Sequence, residues 1–510
     1  MTTAAVAVSA QRRGMSPFVR YFVADYFRNP VNLIVLVLVP AVFVLVAAGT
    51  IAQAMELLGR GLEPAAKVET ATAGWSAGFL SGIAMYFQIR SARATDRRLV
   101  LAGLAPTRLV AARAATGFAL AVLVSTVSLL ALAARTGIEA PMRVIAATLM
   151  FAVIYLAIGA VIGVLVPNPV NGAVVILFVW IIDVFIGQVG ETAERITRWF
   201  PTHFVARWMV DLPTHHGGRI GDLGAALVWV SAAAIIAGAV LVSSSRVSTT
   251  TARTAGQSGT GLRMGLVDLR RNPVLAVLLV AVPIVFVVLA KLTTPARSMT
   301  LTLRENGQTV TPSFWFPDVH AGTMTPMAIT ALSTLAGLFI VVDAAGGDRR
   351  LRLAGYRTGA LLTARLGVVG VAATAVTAAA LAITAMVFDA VQWPGYAAAN
   401  LLLAATYALV GVILGPLLGR VAGVFVAFLI PFLDLGLAQS LMLRPEPPTW
   451  AHALPGYGAS RVLFDTGLTT HFDETGPLLI ALAWLAGLGI LAGLLLIRGT
   501  GQRARFGSLS

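Results

Sequence analysis

Apolar runs of about twenty residues dominate this chain, and a run of that length crosses roughly 30 Å of hydrocarbon as a helix. They lie near residues 31–52, 74–92, 112–134, 143–165, 171–188 and 224–243, and again near 274–294, 326–345, 366–388, 396–418, 421–440 and 478–497. Of the 510 residues, 58% are hydrophobic and 12% charged, too little charge for a soluble surface. The pattern predicts an all-α polytopic membrane protein of about 12 transmembrane helices.

The two sets of runs also match each other. RYFVADYFRNP (Arg20 to Pro30) pairs with RMGLVDLRRNP (Arg263 to Pro273), sharing R-x4-D-x2-R-N-P. DRRLVLAGLAPTRLVAAR (Asp96 to Arg113) pairs with DRRLRLAGYRTGALLTAR (Asp348 to Arg365), sharing D-R-R-L-x-L-A-G-x9-R. PTHFVARWMVD (Pro201 to Asp211) pairs with PGYGASRVLFD (Pro455 to Asp465), sharing P-x5-R-x3-D. The chain therefore divides into a first six-span half, 1–242, and a second, 262–510, joined by a Ser/Thr/Gly-rich cytoplasmic linker at 243–261. An even number of spans per half makes the repeats parallel, related by an axis along the membrane normal.

Charge orients this scaffold. With both termini cytoplasmic, the cytoplasmic segments carry most of the 37 basic residues and few of the 22 acidic ones. The formal net charge of +15 is thus a topology signal. Nucleic acid is an unsuitable partner, because the arginines are spread over many short loops instead of one basic face. Arg12 and Arg13 stand well before the first run and no small-residue cleavage site follows it, so the first span itself is expected to direct insertion. There are no cysteines, which excludes disulfides and thiolate metal sites. The two lysines, Lys67 and Lys291, lie outside any G-x-x-x-x-G-K-[ST] pattern, so the chain has no Walker A loop. His203, His215 and His216 lack a nearby carboxylate pair and make a poor metal site; no nucleophile elbow or zinc-protease motif is present.

Each repeated motif has a physical reading. Residues 16–30 and 262–273 are expected to form amphipathic elbows on the inner interface, with Arg20, Asp25 and Arg28, and Arg263, Asp268 and Arg271, among apolar residues. Pro30 and Pro273 disfavour helix at the preceding asparagine, so the chain turns there into the membrane. Pro40 and Pro283 are expected to kink the first span of each half. The D-R-R-L segments form short charged stretches between spans two and three, serving either as retained positive charge or as a contact for a cytoplasmic partner. Between spans five and six, Trp199, Phe204, Arg207 and Asp211, and Tyr457, Arg461 and Asp465, suit short helices dipping into the outer interface. They read either as interfacial packing or as an external gate, with Arg207 and Asp211 spaced to pair on one helix face. Asp183 and Asp434 fall at matching places toward the outer ends of the fifth spans. They either bond neighbouring helices and interfacial water, or bind cationic cargo or relay protons.

Together, the elbow, the charged segment and the polar-aromatic insertion resemble the membrane subunits of type-two ATP-binding-cassette (ABC) exporters, over nearly the whole chain and twice. The resemblance implies six spans per half, a coupling helix between spans two and three, and re-entrant helices between spans five and six. Asp96, Arg97, Arg98 and Leu99, and Asp348, Arg349, Arg350 and Leu351, would then contact the ATPase. Many relatives begin this segment with Glu where the present chain has Asp. It further implies two copies of a separate nucleotide-binding ATPase subunit, which would hold the ATP and Mg; no cofactor is expected in this chain. Cargo would be amphiphilic, a drug, antibiotic or lipid, moved outward across the bacterial cytoplasmic (inner) membrane. Two rivals remain: a proton-coupled secondary transporter using Asp183 and Asp434, and a membrane-embedded transferase, for which the loops lack a paired-carboxylate motif.

Overall fold

The computed structural model describes residues 30–57, 65–102, 104–185, 197–210, 222–244, 273–353 and 358–498. They form two compact units. One comprises residues 30–45, 69–185, 197–210 and 222–244; the other comprises 46–57, 65–68, 273–353 and 358–498. The elbow residues Arg20, Asp25, Arg28, Arg263, Asp268 and Arg271 lie outside the described residues, as does the linker beyond residue 244.

In the first unit, α1 (Pro30–Val42) passes into a π-helical turn at Phe43–Ala47; α2 (Ala48–Leu57), which follows in the chain, belongs to the second unit. Then come α3 (Ala65–Leu101), α4 (Pro106–Arg135), α5 (Pro141–Leu165), α6 (Pro169–Phe185), α7 (His203–Val210) and α8 (Leu223–Ser244). Proline opens α1, α4, α5 and α6, where its missing N–H has no intrahelical partner to lose. Pro40 lies inside α1, three residues before the π-turn; its missing N–H deprives Leu36 of a helical partner. The central helix is α3, in which every residue from 71 to 89 is buried. Gly159 of α5 packs on it so closely that an added Cβ would overlap the Gly82 carbonyl oxygen. Small residues let helix backbones meet where hydrocarbon supplies no hydrophobic drive. Ser76 and Ser128 Oγ, 2.9 Å apart, join α3 to α4, and Trp180 Nε1 donates to the Trp75 carbonyl across 2.9 Å, joining α6 to α3.

The second unit repeats this plan. It contains α9 (Pro273–Thr293), α10 (Phe316–Leu353), α11 (Thr358–Thr384), α12 (Trp393–Pro431), α13 (Tyr457–Leu468) and α14 (Thr475–Arg498). Here α10 is central, packed on α9, α11 and above all α12. Gly411 of α12 meets the Thr334 carbonyl as Gly159 meets Gly82. Gly419, at φ 70° and ψ −163°, breaks α12 into two spans, and π-helical Phe432–Ala438 continues the second.

All twelve expected spans thus coincide with helix to within a few residues. Among the described residues, eight helices are long and apolar enough to cross a bilayer, the one from Trp393 to Ala438 holding two expected spans. The chain is an all-α polytopic membrane protein in its spanning part. Two expectations need correction. Residues 96–101 and 348–353 do not form a separate coupling helix; they are the last turns of α3 and α10, which outrun the membrane span. The segment after α9 is also not purely helical. β1 (Ser298–Thr300) pairs antiparallel with β4 (Ser313–Trp315), and β2 (Leu303–Glu305) with β3 (Gln308–Val310). Asn306 and Gly307, both at positive φ (53° and 73°), make the tight turn that a two-residue hairpin requires.

Candidate functional site

Two arrangements recur in both units, and each brings together residues far apart in sequence. The first surrounds the buried aspartates. In the first unit, Tyr155 of α5 donates its hydroxyl to Asp183 Oδ2 at 2.7 Å. Thr202 donates its hydroxyl to the same oxygen at 2.6 Å and its N–H to Oδ1 at 3.4 Å. In the second unit, Tyr407 of α12 donates to Asp434 Oδ2 at 2.5 Å, Gly456 N–H donates to it at 2.8 Å, and Gln439 Nε2 reaches Oδ1 at 3.2 Å. Asp183 and Asp434 are each 2% exposed. A carboxyl placed mid-membrane costs about 2.5–3.5 kcal/mol on insertion scales. Several hydrogen bonds to a charged group, each about 1.5–3 kcal/mol, offset that.

The geometry has a consequence for the next segment. Thr202 directly precedes α7, and Gly456 directly precedes α13. The aspartate therefore anchors the start of the short helix between spans five and six to the tyrosine of span four. The two units reach this differently. Thr202 supplies its side chain, whereas a Cβ at position 456 would crowd the Asp434 carboxyl, so glycine is needed there. Each of these helices has a second anchor, at its fifth residue. Arg207 lies 3.8 Å from Asp222, which precedes α8, and Arg461 bonds Glu474, which precedes α14, at 2.8 Å.

Asp211 lies outside the described residues, and Arg207 faces Asp222. In the second unit Asp465 accepts from Thr469 Oγ1 at 2.6 Å and from Asp473 N at 2.8 Å, leaving Arg461 to Glu474. Of the other expected gate residues, Trp199 is 70% exposed, Phe204 makes an edge contact with His203, and Tyr457 stacks on His452.

The second arrangement closes the turn after the central helix. Arg113 Nη2 donates to Asp96 Oδ1 at 2.7 Å, and Nε to Oδ2 at 3.3 Å. Arg365 Nη2 donates to Asp348 Oδ1 at 2.6 Å, and Nε to Oδ2 at 3.1 Å. The first and last residues of D-R-R-L-x-L-A-G-x9-R thus form one bidentate pair, whose fork geometry fixes the helix–turn–helix angle. Arg97, Arg98, Arg349 and Arg350 stay exposed, and Leu99 and Leu351 are half-buried.

The match to known proteins fits this frame. Residues 71–243, which run from α3 to α8, match the family described as ABC-2 family transporter protein. Over that stretch the chain is similar to an ABC-2 type permease. No curated protein matches it. The match spans about a third of the chain, the first unit's central helix included. Proteins of that family are transport subunits, which in general work with an ATPase. Among the described residues no cluster of His, Asp and Glu could hold a metal ion.

Motif reading missed Tyr155 and Tyr407 in the permease. Their separation equals that between Asp96 and Asp348, and this was their only sequence signal. Glu474 and Asp222 were missed because each stands just before an apolar run, where a lone carboxylate reads as a boundary.

Proposed function

We propose that this permease is the membrane subunit of an ABC exporter that moves an amphiphilic small molecule outward by alternating access, driven by two copies of a separate ATPase. The observation that carries this is the twice-repeated turn: a bidentate Asp–Arg pair fixes each turn, and beside it two arginines, Arg97 with Arg98 and Arg349 with Arg350, remain exposed. A rigid turn with free cations is suited to receive a push from a soluble engine, whereas topology alone requires only arginine number. In this reading the turns face the cytoplasm of a bacterial inner membrane, with both termini on that side. The helices α7 and α13 then sit at the outer face as gates, pinned to spans four and five through Asp183 and Asp434.

The test is reconstitution. The purified chain alone should turn over no ATP, and co-expression with its ATPase should give a complex of one permease to two ATPase chains. Replacing Arg97, Arg98, Arg349 and Arg350 with glutamate should dissolve that complex while the permease still folds. An unchanged complex would refute the assignment of those turns.

A further inference from the structure

Among the described residues, the Arg90 guanidinium has two covered nitrogens without a hydrogen-bond partner. Arg90 follows directly on the fully buried 71–89 stretch of α3 and is itself only partly exposed; its Nε and Nη1 are covered and meet no hydrogen-bond acceptor. Covered guanidinium nitrogens left without an acceptor are costly, which favours an anion supplied from outside the described residues. The nearest carboxylate along α3, Asp96, is engaged by Arg113. Arg90, Arg93 and Arg97 are spaced three and four apart, which places them on one stripe of the helix, with Arg93 and Arg97 exposed. The second unit has no such stripe. The corresponding positions are Val342, Ala345 and Arg349, and its nearby cation, Arg420, is neutralised by Asp343 at 2.6 Å.

The surroundings identify the anion. One turn before Arg90, the Tyr86 hydroxyl donates to the carbonyl oxygens of Asn168 (2.9 Å) and Val166 (3.4 Å). Next to Val166 is Leu165, 66% exposed. Arg90 stands six residues, about 9 Å of helix rise, short of Asp96 at the turn. A covered cation at that depth, near the end of an apolar span and on a stripe with two exposed arginines, suits a molecule with a phosphate head and an acyl tail.

We propose that Arg90, supported by Arg93 and Arg97, binds the phosphate of an anionic phospholipid at the inner face of the membrane. The sidedness in that statement rests on the topology given under Proposed function.

The test uses the full chain in neutral detergent, titrated with phosphatidylglycerol and read by native mass spectrometry. Arg90→Gln should weaken binding at least tenfold, whereas Arg304→Gln in the β-hairpin should not change it. Diacylglycerol, which lacks the phosphate, should bind no better to wild type than to the variant. Equal lipid binding by Arg90→Gln would overturn the proposal. So would displacement of the lipid by millimolar inorganic phosphate, which would mark a site for free anions. Should the variant fold poorly, a photoactivatable phosphatidylglycerol on wild type decides: the label should map to residues 86–98, and its absence there would overturn the assignment. Labelling a thiol introduced at Arg98 tests sidedness separately, so a wrong topology and a wrong ligand give different results.

Discussion

Replacing Tyr407 by phenylalanine tests whether the buried aspartate holds the α13 helix in place. The substitution deletes one hydroxyl donor from Asp434 and leaves the ring in its fully buried site. Loss of a hydrogen bond to a charged acceptor costs about 1.5–3 kcal/mol. Asp434→Ala should cost more. It removes the roughly 3 kcal/mol penalty of placing a carboxyl in the membrane. Against that, it strips the acceptor from the Tyr407 hydroxyl, the Gly456 N–H and one bond of Gln439, at about 1–3 kcal/mol for each orphaned donor. Three such donors sum to about 3–9 kcal/mol, so the net loss is about 0–6 kcal/mol, centred near 3. In a double-mutant cycle the two changes should couple by at least about 1 kcal/mol, because both remove the same contact. Hydrogen exchange supplies the local readout. Amides of Tyr457–Leu468 should lose protection in both variants, because Gly456 is the link between the aspartate and that helix. If the two substitutions were additive and exchange in this helix were unchanged, the pin would not exist.

Other outcomes follow from neighbouring geometry. Gly159→Leu and Gly411→Leu should abolish folded protein measured by size-exclusion yield, since each side chain would be driven into a carbonyl of the central helix, while Gly238→Ala, with open space around it, should be tolerated. Arg113→Ala should destabilise the first unit by about 1–3 kcal/mol in thermal unfolding, and exchanging the charges of Asp96 and Arg113 should recover part of that loss. Glu305 accepts from the hydroxyl and N–H of Thr470, which holds its carboxyl below the ordinary value of 4.5. A lowered value means that the contact is fully present above pH 4.5 and is lost as pH falls through the lowered one, so exchange at Leu303–Val310 should rise in acid, and Glu305→Gln should remove that dependence.

The spans were legible because a bilayer imposes one requirement on every crossing segment: enough apolar residues to cover the hydrocarbon, with the backbone bonded to itself. That requirement is local, so composition in a window of about twenty residues is sufficient. The repeated motifs were legible because D-R-R-L-x-L-A-G and its companions recur in order. The hairpin at Asn306 and Gly307 carried its own signal in the Asn-Gly dipeptide, which the apolar periodicity overshadowed.

Partners across the fold were not legible. Asp183 and Asp434 were visible as unusual residues, yet nothing near them in sequence shows that Tyr155 and Tyr407 would reach them from another helix. The same holds for Arg207 and Arg461, since the carboxylates Asp222 and Glu474 that lie beside them precede the next span. Sequence alone determined which segments cross the membrane and that they cross twice over, since those follow from local hydrophobicity and repetition. Tertiary structure alone decided which buried polar groups pair, because a hydrogen bond depends on position in space and helix packing sets that position.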